Sequence, residues 1–166
     1  MKSIAIIAIG MCIVFISACD KRNLPDKGVT YAEKVSNEWW VIATPEVGPV
    51  SDPFRIVTSN TSSNLDSIVI DDMENYASFR CKVKFDMTNL TFSTQNYASP
   101  YDLKDGSNIY RRTVNVTDGK ILAKASKALS GTTTDSIYMV MEFSDDPGNK
   151  YTIAGTSRTM FSEDDY

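Results

Sequence analysis

The segment Phe79-Arg80-Cys81-Lys82-Val83-Lys84-Phe85-Asp86 alternates apolar and charged residues without a fault. Successive side chains of an extended strand point to opposite faces, so Phe79, Cys81, Val83 and Phe85 meet a core while the charges meet water. The same period recurs along the chain in short runs rich in β-branched and aromatic residues, separated by turn residues. It predicts strands at about 38–44, 54–60, 66–71, 77–87, 90–95, 108–117, 120–126, 135–144 and 150–157. Helical periodicity is nearly absent. Only Tyr31 to Val35, with Thr30 as N-cap, predicts one or two helical turns.

Turn chemistry punctuates these runs. Asp118-Gly119 predicts a two-residue hairpin turn with positive φ, which sets Val116 opposite Ile121 and Val114 opposite Ala123. Asp145 to Asn149 and Met87 to Asn89 predict two further turns. Gln95 to Ser107 is the longest stretch without a strand pattern; with Tyr97 and Tyr101 it is a lid candidate, or else a solvated loop. Eight or nine antiparallel strands joined by short turns predict an all-β fold, a single up-and-down barrel with a short N-terminal helical turn. A sandwich with Greek-key crossings is the alternative.

One segment departs from every period. Lys2 is followed by an apolar run, Ile4 to Ala18, that ends in Ile16-Ser17-Ala18-Cys19. The run is shorter than the roughly 20 residues a membrane-spanning helix needs, and it closes on small residues before a cysteine. This predicts a lipoprotein signal peptide over 1–19, with Cys19 as the lipidation site. A tether over 20–29 follows, then one domain over 30–166, and the expected location is the cell outer membrane, held by lipid.

Composition narrows the chemistry. The chain carries 17 basic and 21 acidic residues, net −4, one unit more negative once Lys2 is removed. Such a surface argues against nucleic acid and against adhesion to anionic headgroups, so membrane attachment falls to the lipid. There is no histidine, which excludes Ser-His-Asp and Cys-His catalysis and imidazole ligation of a metal. With Cys12 lost with the signal and Cys19 acylated, Cys81 stands alone, and its alternation with phenylalanines predicts a buried thiol. Asp71-Asp72 and Asp145-Asp146 fall at turn signals and read as solvated turn acids rather than a catalytic pair. No metal or other cofactor is implied.

Asn37-Glu38-Trp39 opens the first strand and Arg158 follows the last. This layout resembles lipocalins and other calycins, whose G-x-W element lies beneath a late arginine that closes the barrel; here Asn37 replaces the glycine. The resemblance implies that Trp39 and Arg158 close this barrel by a cation–π contact. The mature chain is also similar to a family of Bacteroidetes lipoproteins described as lipid-binding putative hydrolases. The matching segments are Tyr31-Ala32-Glu33-Lys34, Glu38-Trp39-Trp40-Val41, Asp66 to Asp72, Ser130-Gly131 with Asp135-Ser136-Ile137, and Gly155 to Tyr166. That resemblance implies a calycin-like barrel on an outer-membrane lipoprotein, with no motif that fixes a catalytic residue.

The leading expectation is therefore non-enzymatic binding of a small apolar or amphipathic, lipid-like ligand inside the barrel. Phe79, Val83, Phe85, Val114, Val116, Met139 and Met141 are the candidates to line its cavity. A carboxylate-dependent hydrolase, and a solid-barrel accessory lipoprotein that docks a partner protein, are the alternatives.

Overall fold

The alternation is realised as eight strands that close on themselves. The computed structural model describes residues 30–62 and 66–166; the expected signal, lipidation site and tether lie outside them. The barrel strands are β1 (Asn37–Pro45), β2 (Phe54–Asn60), β3 (Ser67–Asp71), β4 (Arg80–Asp86), β5 (Thr91–Ala98), β8 (Thr113–Lys127), β9 (Thr133–Phe143) and β10 (Asp146–Ser157). Each pairs antiparallel with the next, and β10 pairs with β1 to close the ring. The up-and-down barrel is the observed topology. Closure removes the exposed edges that open sheets must protect. A hairpin, β6 (Leu103–Asp105) and β7 (Asn108–Tyr110), is inserted between β5 and β8.

Two expectations are corrected here. Asp118-Gly119 is not a hairpin turn: the segments expected at 108–117 and 120–126 are largely one strand, β8, running straight through it. Asp118 does take positive φ (53°), but in a bulge, where the register with β9 shifts between Thr117 and Lys120. Gly119 faces Phe92 of β5, and a Cβ there would lie 2.3 Å from the Phe92 ring. Glycine is thus required by the aromatic packed over it, while the bulge bends the long strand. Gln95 to Ser107 is likewise not a patternless loop. Tyr97 sits in β5 opposite Val114, and Leu103 onward forms the β6–β7 hairpin.

The strand directions define two ends. Residues 46–53, 72–79, 99–112 and 144–145 connect strands at what we call the hairpin end. The opposite entry end carries the turn Tyr31–Val35 before β1, the connections 87–90 and 128–132, and the segment 158–166. Tyr31 Oη donates to the Phe85 carbonyl (3.2 Å), and Ala32 and Val35 are buried, so the chain enters the barrel at a fixed place.

Between the ends the interior is filled. Trp39 occupies the entry end and donates through Nε1 to Thr58 Oγ1 (2.9 Å). Phe85 and Phe92 stack on each other, and Phe79 meets Phe143 toward the hairpin end. Phe79, Val83, Phe85, Val114, Val116, Met139 and Met141 all face inward, none more than 2% exposed. Ile56, Ile68, Ile70, Cys81, Ile137 and Ile153 are at 0%. The seven candidates all belong to one contiguous buried cluster inside the barrel. Eight strands enclose a space that side chains alone can occupy.

Candidate functional site

A concave surface open to a ligand lies on the outer wall. Cross-strand register explains where. Outward residues of β1, β10, β9 and β8 stand in rows: Trp40, Thr156, Ser136 and Leu122 in one, and Ile42, Ala154, Tyr138 and Lys120 in the next. Small side chains at Ala154, Thr156 and Ser136 lie between larger ones on either side. The result is a groove of about 320 Å³, bordered by Trp40, Ile42, Pro53, Lys127 and Tyr166. Gly155 lies between these rows on the inward side. A Cβ there would lie 1.9 Å from the Trp40 carbonyl oxygen, so only glycine lets β10 approach β1 beside Trp40.

An ion-pair network holds the aromatic wall of the groove. Arg158 grips Asp165 in two parallel bonds, Nε to Oδ1 (2.6 Å) and Nη2 to Oδ2 (2.5 Å). Its Nη1 donates to Glu38 Oε2 (2.8 Å), which Arg55 also approaches. Asp165 Oδ1 in turn accepts the Trp40 Nε1–H (3.1 Å), and Tyr166 meets the Trp40 ring edge-on at 5.6 Å. These bonds to the ionised form hold the Asp165 carboxyl down at about 2, the Arg158 contact contributing most. The same carboxylates raise the guanidinium of Arg158. Bidentate arginine–carboxylate geometry fixes orientation as well as charge.

This network replaces the closure expected from the calycin resemblance. Trp39 and Arg158 do stand at the same end, with Ser157 opposite Trp39 and the Arg158 N–H donating to the Glu38 carbonyl. Alternation separates them: Trp39 points inward, whereas Arg158 lies one residue beyond Ser157 and faces outward with Glu38 and Trp40. Among the described residues the cation–π contacts are Arg112 on Phe143 and Lys120 on Tyr138. An ion pair, not a cation stacked on Trp39, closes the entry end.

The remaining candidates are elsewhere. Tyr101, one lid candidate, donates to Asp71 (2.7 Å) and is pushed up to about 12, chiefly by burial and then by that carboxylate. Tyr110 donates to Asp145 (2.9 Å), so the β6–β7 hairpin is pinned on both flanks. Tyr97 is a wall residue of β5. Asp72 corrects the expectation of solvated turn acids. It is fully buried and accepts the backbone N–H groups of Glu74, Ala77 and Phe79 at 2.8–3.0 Å and of Tyr76 at 3.4 Å. Burial raises its carboxyl, and the four bonds oppose the shift. Asp145 pairs with Arg112 (2.8 Å), and Asp146 accepts from Asn149 and Tyr151. All four acids hold loops at the hairpin end. Cys81 is buried and its thiol is pushed up by burial and by Asp71 and Asp72.

A larger cleft of about 450 Å³ opens where β4, β5 and β8 meet, but Lys84, Asp86, Asp118 and Lys120 ring it. An apolar chain placed there would lie among four charges. The outer groove has only Lys127 as a charged lining residue and contains no carboxylate side chain. Its chemistry is amphipathic, with aromatic and aliphatic walls, hydroxyls at Ser126, Ser136 and Thr156, and an ammonium toward the entry end.

A family model described as lipid-binding putative hydrolase matches residues 24–162. The chain belongs to that family. No curated protein matches it.

Proposed function

We propose that this protein is a lipid-anchored envelope protein that binds a small amphipathic lipid, without turning it over, in the outer groove between Trp40, Ile42, Ala154 and Lys127. The observation that carries the reading is the joint one of a packed interior and an amphipathic groove. An apolar chain would cover Ile42, Ala154 and the Trp40 edge, and an acidic or polar head would face Lys127. Burial of the chain supplies the affinity, at roughly 0.8 kcal/mol per methylene. No Asp or Glu side chain lines the groove, and the protein contains no histidine, so neither of the usual side-chain general bases faces a bound ester there. The hydrolase half of the family description finds no support in this groove.

Ala154→Trp fills the groove from its floor while leaving the interior untouched. Thermal melts with medium-chain fatty acids, run on wild type and this variant, test the reading. Wild type should gain about 2.7 kcal/mol at a ligand concentration a hundredfold above Kd, and the variant should gain nothing. Equal stabilisation of both proteins would place the ligand elsewhere. Hydrolysis of a lipid ester lost on changing one Asp or Glu would replace binding by catalysis.

A further inference from the structure

The entry end presents three large apolar side chains to solvent: Leu129, Met160 and Phe161, at 57%, 59% and 58% exposure. They ride on two separate segments, the β8–β9 connection and the stretch after β10, which a single buried acid ties together. Asp164 accepts the Ser130 N–H (2.6 Å), the Ser130 hydroxyl (3.0 Å) and the Thr159 hydroxyl (2.6 Å). The patch is therefore built, with Leu129 beside one anchor point and Met160 and Phe161 beside the other. Holding exposed apolar groups on a bonded frame costs solvation that an isolated domain has no reason to bear.

We propose that this patch docks the entry end on the surface of a lipid bilayer, so that the barrel stands on the membrane with the mouth of its groove at the headgroup level. The inference rests on the lipid-anchor reading above. What selects a bilayer is the position of chain entry. Thr30 and the turn that follows lie at this same end. The ten tether residues, 20–29, reach at most about 33–36 Å when fully extended, little more than the roughly 30 Å that the nine residues of β1 cover. An acyl chain on Cys19 thus keeps this end at the membrane, while bringing the hairpin end there would require the tether to stretch along the barrel. Interfacial burial of a few apolar side chains beside a covalent lipid adds to the attachment in proportion to the apolar area buried. Lys127 and Tyr166 of the groove adjoin the patch through β8 and the 158–166 segment, so a lipid leaving the bilayer would meet the groove directly.

The test uses the full acylated chain, extracted from cell membranes and reconstituted in phosphatidylcholine vesicles. Nitroxide labels are placed one at a time at Phe161→Cys, Leu129→Cys and, as the hairpin-end reference, Ile109→Cys (65% exposed in the native chain). Buried Cys81 does not compete for the reagent. Collision with a water-soluble nickel chelate should be at least tenfold weaker for labels at 161 and 129 than at 109, and collision with oxygen stronger. If vesicles retain the protein but all three labels are equally open to nickel, the docking is wrong and the anchor stands. If the wild-type chain does not float with the vesicles, the anchor reading and the docking fail together.

Discussion

The two ends of the barrel are both fastened by acids, and by opposite physics. At the entry end Asp165 is neutralised by Arg158, and bonding to its ionised form drives its pKa down. At the hairpin end, among the described residues, Asp72 is satisfied by backbone N–H groups and not by a cation, and burial drives its pKa up. The first arrangement fixes side chains, Trp40 and Tyr166, that a ligand would touch. The second fixes the backbone of a loop, 72–79, through which Met73, Glu74 and Ser78 adopt positive φ. A charge-paired acid at a surface aims a functional wall, whereas a desolvated acid wrapped in amides stores the conformation of a strained connection. Similar residues at turn positions serve different ends because their partners differ.

The largest effect should come from the hairpin end. Asp72→Ala leaves four backbone donors without their acceptor, and the loop cannot release them all to water without unwinding. At 1–3 kcal/mol for each unsatisfied buried donor, less what rehydration recovers, the loss should be roughly 4 kcal/mol. Chemical denaturation would measure it. Asp72→Asn, which keeps one carbonyl oxygen, should cost about half as much. A loss under about 1 kcal/mol for the alanine variant would show that the loop, and not the carboxylate, determines its own fold.

A neutral hydroxyl supports the entry end from within. Thr58 Oγ1 accepts from Trp39 Nε1 (2.9 Å) and from the Asn37 N–H (3.1 Å), and donates to the Val35 carbonyl. Thr58→Val conserves shape and removes all three bonds, so roughly 2 kcal/mol should be lost. Hydrogen exchange would sharpen the comparison between the ends. Amides of residues 31–37 should exchange faster in this variant while those of 72–79 remain protected, and Asp72→Ala should reverse the pattern. Uniform loss of protection would mean that the ends are not separately held.

The sequence made the barrel readable because its signal is local. The Phe79 to Asp86 alternation and the short connections define inward faces and a meander, and Trp39 meets Ser157 only because the last strand returns to the first. Asp118-Gly119 misled for a physical reason: positive φ is shared by hairpin turns and bulges, and only the Phe92 ring across β5 decides between them. Asp72 was illegible because nothing in Asp71-Asp72 says which carboxylate the next seven residues will curl around. The groove was hidden more deeply still. Trp40, Ile42, Ser136, Ala154 and Thr156 are ordinary outward residues until register lines up the small ones between the large. The interior candidates faced inward as expected. Whether they line a cavity or fill it depends on summed volume against barrel size, which alternation does not report.

The smallest effect, and the one that sets the two ends against each other most directly, is that of pH. Asp165 is an acid whose folded pKa, about 2, lies below its unfolded value. It therefore contributes stability above roughly pH 4 that is lost as pH falls through its folded value. Asp164, lowered chiefly by the Thr159 hydroxyl and then by the Ser130 N–H, has the same sign. Asp72 has the opposite sign. With its folded pKa raised above 3.8, the native state takes up the proton before the unfolded chain does, so acid relieves an unfavourable burial instead of breaking a pair. Carboxyl chemical shifts followed from neutral pH downward should show Asp72 titrating before Asp164 and Asp165. Over the same range, the Trp40 indole N–H should lose protection only at the acid extreme, when Asp165 protonates, and amides around Ser130 when Asp164 protonates, below the ordinary carboxylate value. If Asp165 titrated near the ordinary carboxylate value, Arg158 would not be gripping it in solution. The aromatic wall of the groove would then lack the brace that holds Trp40 in place.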